Sequence, residues 1–155
     1  EFLGEILGSV ADRVSRHAGR PCLLTPATFR PIEQVLCAYD GSVQAGQALE
    51  LAAELTVALG GRLDVLTVAQ KNDLDTARTV VEEGARLARD HGAQVETLTR
   101  ASHRAAPPIL LTAEERGCGL IALGAFGHSR IREFLIGSAA AQVAARAHVP
   151  VLLAR

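Results

Sequence analysis

Gly124, Gly127, Gly137 and Ser138 stand in the spacing G-x2-G-x9-G-S, and this is where the 155-residue chain concentrates its capacity for chemistry. The stretch follows a short apolar run, Leu120 to Leu123, that reads as a buried strand. It leads into Ala139–Ala147, which has the composition of a helix. Glycine at 124 and 127 lets the backbone turn as it leaves the strand. Gly137 gives the same freedom before the helix, where Ser138 is expected as the N-cap. The first N–H groups of a helix have no intrahelical acceptor and sit at the positive end of its dipole, so the pattern suits a phosphate. The competing account is a glycine-rich strand-to-helix connection that binds nothing.

The other reactive residue types narrow that chemistry. Lys71 is the only lysine, and it lies far from the glycines in sequence. A G-x-x-x-x-G-K-[ST] loop is absent, and so is a G-x-G-x-x-G turn. Phosphates would therefore be held by backbone amides, hydroxyls and Arg130 or Arg132. His17, His91, His103, His128 and His148 show no i, i+4 pair, so no metal site is expected. His128, inside the glycine stretch, reads as a solvated loop histidine, and Glu82-Glu83 and Glu114-Glu115 read as solvated helix faces. No nucleophile, base and orienting residue assemble, and Ser138 has no evident activating base, so no catalytic residue is assigned.

The elements that must position these residues follow from periodicity. Val35–Tyr39 is a short apolar strand, and Asp40-Gly-Ser42 is the turn that starts a helix over Val43–Leu59, with Ala48, Leu51, Ala52, Leu55 and Leu59 at helical spacing. Leu63–Val68 is a second strand, Asp73–His91 an amphipathic helix and Val95–Thr99 a third strand. A helix with proline in its first turn runs to Arg116 and stops at Gly117. The fourth strand, the glycine stretch, the last helix and a fifth strand over Val151–Ala154 complete the order. Strand and helix alternate with short turns, which predicts an α/β fold: an open five-stranded parallel sheet with helices on both faces. Ligands in such sheets lie beyond the carboxyl ends of the strands, where strand order reverses. Asp40, Val68 and Gly124 each end a strand and converge on one rim. Asp40 is either a turn former or a ligand group there.

Composition sets outer bounds. The chain is 48% hydrophobic but only 3% aromatic, so its core is built from Ala, Val, Leu and Ile. A net charge of -1 argues against nucleic acid as a partner through bulk electrostatics. No apolar run reaches membrane-spanning length, and three cysteines at unrelated spacings suit a reducing cytoplasm.

The start of the chain repeats its end. Gly8, Ser9, Ala11, Val14, Ala18, Pro21, Leu23 and Leu24 meet the same residue types 129 positions later, without a gap. Residues 1–25 are expected to be the last helix, Ser9–Ala18, and last strand, Cys22–Thr25, of a preceding copy whose remainder the sequence does not contain. Residues 26–31 are a linker marked by Pro26 and Pro31, and 32–155 is the complete unit.

By these residues the chain resembles the universal stress protein family in its ATP-binding form. The glycine signature fits at every spacing, and Val35-Leu-Cys-Ala-Tyr-Asp-Gly-Ser42 matches the family's first strand and acidic turn. The resemblance covers 32–155 fully and 5–25 as a fragment, which makes the chain look like the C-terminal part of a tandem protein. It implies an adenine-nucleotide α-hydrolase-like, Rossmann-like sheet and ATP as ligand, with Mg²⁺ near Asp40. Ala38, Tyr39 and Asp40 would line the adenine and ribose end, and Val68 would touch the base. Leu123 and Gly124 would flank ribose and phosphates, with Gly127, Gly137, Ser138 and Ala139 on phosphate oxygens. It also implies pairing of two domains through their last strands, so Cys22–Thr25 is expected antiparallel to Val151–Ala154. The activity implied is nucleotide sensing in a stress response, with at most slow ATP hydrolysis or autophosphorylation, Ser138 being the conceivable acceptor. The alternative is a nucleotide-free dimerisation scaffold of the same fold. An α-hydrolase enzyme is a distant third, because the Ser-Gly-Gly-x-Asp-Ser loop after the first strand is absent. Two features depart from the family pattern: Ser102-His103-Arg104 replaces Gly-Asp/Asn-Pro, and the segment after the second strand is short.

Overall fold

A computed structural model describes residues 19–28, 30–125 and 137–154. In chain order the elements are β1 (Cys22–Leu24), β2 (Gln34–Ala38), α1 (Val43–Leu59), β3 (Arg62–Ala69), a 3-10 turn (Lys71–Asp73), α2 (Leu74–Asp90), β4 (Val95–Ala101), α3 (Ala106–Glu115), β5 (Leu120–Gly124), α4 (Ser138–Arg146) and β6 (Val151–Ala154). The expected helix Ser9–Ala18 lies outside the described residues, as do Gly127, His128, Arg130 and Arg132.

The strands form one sheet in the order β1-β6-β5-β2-β3-β4. Strands β2 to β6 are parallel, as short β/α alternation requires. The sheet has six strands rather than five, because β1 joins it antiparallel to β6 with Cys22 opposite Leu153 and Leu24 opposite Val151. The chain lays down β2, β3 and β4 in one direction, then returns to place β5 on the other side of β2. That reversal opens a crevice beyond the ends of β2 and β5.

Each face carries its own core. One is built by Ala48, Leu49, Ala52 and Ala53 of α1 with Val81 and Ala88 of α2, against Val35, Leu63 and Leu120. The other joins Ala106, Ile109 and Ala113 of α3 to Ala140, Ala141 and Val143 of α4, against Leu36, Leu66 and Ile121. Alanine-rich inner faces let the helices approach the sheet closely. Helix α1 is rotated from the expected face: Ala45, Leu49 and Thr56 are buried while Leu59 is exposed, because the small side chains turn inward. It starts at Ser42, whose Oγ accepts from the Ala45 N–H, and ends at Gly60 in the left-handed region (φ 65°).

Candidate functional site

Tyr39 and Asp40 leave β2 at the crevice, and local bonds fix both. The Tyr39 N–H donates to the Leu66 carbonyl at 2.8 Å, and Thr67 Oγ1 donates to the Tyr39 carbonyl at 2.8 Å. The Tyr39 ring rests against Gly84 of α2, where a Cβ would come within 2.7 Å of ring carbon Cδ1. Burial raises the Tyr39 hydroxyl pKa, with smaller contributions from Glu83 and Asp40, so the phenol stays protonated at neutral pH. Asp40 accepts from the Ser42 N–H at 3.0 Å through Oδ1, which closes the turn into α1. It is therefore a turn former by geometry, and it also faces the crevice.

Across the crevice β5 ends at Gly124, and α4 begins at Ser138. The expected reason for Gly124 needs correcting. Its φ is not positive, so no left-handed turn is made there. A Cβ on it would instead sit 2.9 Å from the Ala45 nitrogen and 3.0 Å from Gln44 Cβ, so glycine lets α1 start against β5. Ser138 is also placed differently: Gly137 is the N-cap, at φ -57° and ψ 147°, and Ser138 is the first helical residue with no side-chain cap bond. The first intrahelical bond runs from the Ala141 N–H to the Gly137 carbonyl. The N–H groups of Ser138, Ala139 and Ala140 thus have no carbonyl within the helix. Helix α1 is the opposite case, because Ser42 Oγ and Asp40 Oδ1 already cover its start. Among the described residues, α1 alone of the four helices that start at this rim has a side-chain cap; α2, α3 and α4 have none.

These pieces enclose one open pocket of about 170 Å³. Nine of the ten residues expected at a nucleotide site line it: Ala38, Tyr39, Asp40, Val68, Leu123, Gly124, Gly137, Ser138 and Ala139. Gly127, the tenth, lies outside the described residues. The lining also includes Ser42, Ala45, Leu66, Ala105, Ile109 and Ala140, none of them expected there from the sequence. Leu66 was within reach, since side chains two apart on a strand share a face and Val68 was already assigned. Ile109 had no such signal, because only tertiary docking brings α3 over β3. The loop before α3 is braced: Ser102 Oγ accepts from the Arg104 N–H, and Arg104 Nη2 donates to Gln142 Oε1 of α4 at 2.9 Å. This brace stands where the family pattern carries Gly-Asp/Asn-Pro. Among the described residues no group of three or more His, Cys, Asp or Glu side chains could hold a metal ion, and no helix is long and apolar enough to cross a membrane.

Comparison with known proteins gives a consistent picture. The family model described as "Universal stress protein family" matches residues 31–155. The universal stress protein YxiE of Bacillus subtilis is 31% identical over 146 residues, 79% of this chain and 98% of that protein. The universal stress protein Slr1230 of Synechocystis sp. is 36% identical over 157 residues, 96% of this chain, which spans about half (52%) of that relative. A universal stress protein structure from Archaeoglobus fulgidus superimposes with a TM-score of 0.78 at 26% identity, covering 99% of this chain and 56% of that one. A universal stress protein solved in complex with cAMP gives a TM-score of 0.70 at 24% identity, over 81% of this chain and 98% of its own. Another from Archaeoglobus fulgidus, solved with dAMP, gives 0.65 at 24%, over 80% and 98%.

Proposed function

Because the chain belongs to the universal stress protein family, we propose that it is a regulatory module that binds ATP in the crevice between β2 and β5. The observation that carries this reading is the convergence of β2, β3, β5 and α4 on one pocket with an apolar floor and an uncapped helix start as its far wall. The residues fit the parts of the ligand. Ala38, Val68 and Leu123 offer apolar surface for a base, and Asp40 offers a carboxylate for ribose hydroxyls or Mg²⁺. The unpaired N–H groups of Ser138 and Ala139, with Gly124 and Gly137 beside them, suit phosphate oxygens. The open pocket of about 170 Å³ has room for the base, with sugar and phosphates lying outward along the rim. Gly127 takes its phosphate role from the sequence signature alone. Two neighbours of the same fold were solved with adenine nucleotides, which favours that ligand class.

The same reading makes β1 the closing strand of a second domain copy and places the protein in the cytoplasm, where its free cysteines stay reduced. Antiparallel pairing in an otherwise parallel sheet supports a second copy, and so does a span of about half of the longer relatives. Nucleotide would act as a signal rather than as a rapidly consumed substrate, since Ser138 has no base assigned to it.

Calorimetric titration of nucleotide-free protein tests this. Saturable heat with ATP and Mg²⁺ is expected, weakened about 10- to 100-fold by Asp40→Asn through loss of its charge. No heat at millimolar ATP and Mg²⁺ would overturn the reading and leave the pairing scaffold.

A further inference from the structure

The amino ends of the strands hold a larger cavity, of about 330 Å³, beneath the starts of β5 and β6 where α3 and α4 both end. Its floor is apolar: Ala113, Cys118, Ile121 and Val149 are buried there. Burial pushes the Cys118 thiol up to about 12, so the floor carries no charge at neutral pH. Its rim is polar: Arg30 comes from the connection between β1 and β2, Arg146 from the last turn of α4, His148 from the connection after it, and Glu114 from α3. None of these four side chains makes a hydrogen bond or ion pair among the described residues.

A helix C-terminus favours a basic residue in its last turn, and that accounts for Arg146. It does not account for Arg30, which reaches the same rim from another segment and brings like charges together over an apolar floor.

We propose that this cavity binds a small organic monoanion, a carboxylate with an apolar body, its carboxylate held between Arg30 and Arg146 and its body on the floor. Guanidinium groups match carboxylates in geometry and charge. The volume lies in the range of small-molecule sites. Glu114 and the negative ends of α3 and α4 disfavour multiply charged anions such as phosphates, which sets this site apart from the nucleotide crevice. Arg30 lies on the connection leading out of β1, so an occupant also ties that connection to α4.

Octanoate is the probe, with 1-octanol as its neutral counterpart, titrated into the full chain and followed by amide chemical shifts. Saturable shifts are expected at Gly117–Ile121 and Ala147–Val149, with those of Asp40 and Ser138 unmoved. Both arginines are exposed, so Arg30→Gln with Arg146→Gln should keep the fold, checked by circular dichroism, and weaken octanoate about tenfold or more. Ala147→Leu should block binding by filling the cavity. The proposal fails if octanoate does not saturate at millimolar concentration, if octanol binds as well, or if the arginine pair makes no difference. None of these outcomes depends on whether ATP binds.

Discussion

Asp40 has two tasks that a single substitution can separate. Its carboxylate closes the turn before α1 and faces the crevice. Asparagine keeps an acceptor for the Ser42 N–H while removing the charge, whereas alanine removes both. Asp40→Ala should therefore lower stability by about 1 kcal/mol, the worth of the turn hydrogen bond that it accepts, and Asp40→Asn by less, as urea unfolding would show. Loss of ATP affinity should be similar in the two. Gly84 is a second residue whose role lies in what it touches. Gly84→Ala would drive a Cβ into the Tyr39 ring, so it should cost about 1–3 kcal/mol by overpacking and weaken nucleotide binding from the far side of the sheet. Unaltered ATP affinity in a folded Gly84→Ala protein would show that the Tyr39 ring position does not matter. At this scale the sequence was only half legible. Asp40 and the signature glycines could be named from spacing, but Gly124 proved to be a packing glycine, because which helix presses on it is decided far along the chain.

The elements themselves were legible nearly to the residue, since hydrophobic period and turn chemistry are local. Val43–Leu59 was expected from its apolar spacing and from the turn that precedes it, and the structure keeps those limits. Two things were hidden. The inward face of α1 is set by close contact with the sheet rather than by its leucines, and the ion pair beneath α3 joins residues far apart in sequence. Asp64 of β3 is fully buried and accepts from Arg116 at 2.8 and 3.0 Å, while Arg116 also reaches Glu96. Arg116→Met would strand that carboxylate and should cost about 3–5 kcal/mol by denaturant unfolding; a loss under 1 kcal/mol would mean water reaches Asp64. The buried thiols give a pH prediction. Burial raises Cys37, and it raises Cys118 from 9.0 to about 12. Raised folded-state values mean their neutral forms stabilise fully below pH 9.0, and for Cys118 that contribution is lost as pH rises towards about 12. At pH 8 one thiol, the half-buried Cys22, should react readily with a disulfide reagent, and all three after unfolding. Three fast reactions in native protein would contradict the packing described.

At the scale of the whole molecule, β1 decides whether the sheet ends bare or covered at β6. Leu24 packs against the α3/α4 core, whereas Leu23 is 52% exposed. Leu24→Asp should destabilise by about 1–3 kcal/mol and Leu23→Asp by under about 0.5, a contrast that an undocked β1 would erase. The antiparallel pairing was expected from the family resemblance, with two apolar strands in need of partners as its physical reason; the preceding copy itself was inferred from eight matching positions and remains part of the proposal. The central claim is that the crevice between β2 and β5 takes ATP. Amide chemical-shift mapping of the nucleotide-free chain with ATP and Mg²⁺ tests it most directly. Shifts are predicted at Ala38–Asp40, Val68, Leu123, Gly124 and Ser138–Ala140, with the ends of α3 and α4 unmoved. Absence of shifts at saturating ATP, or shifts gathered at the amino ends of β5 and β6, would contradict it.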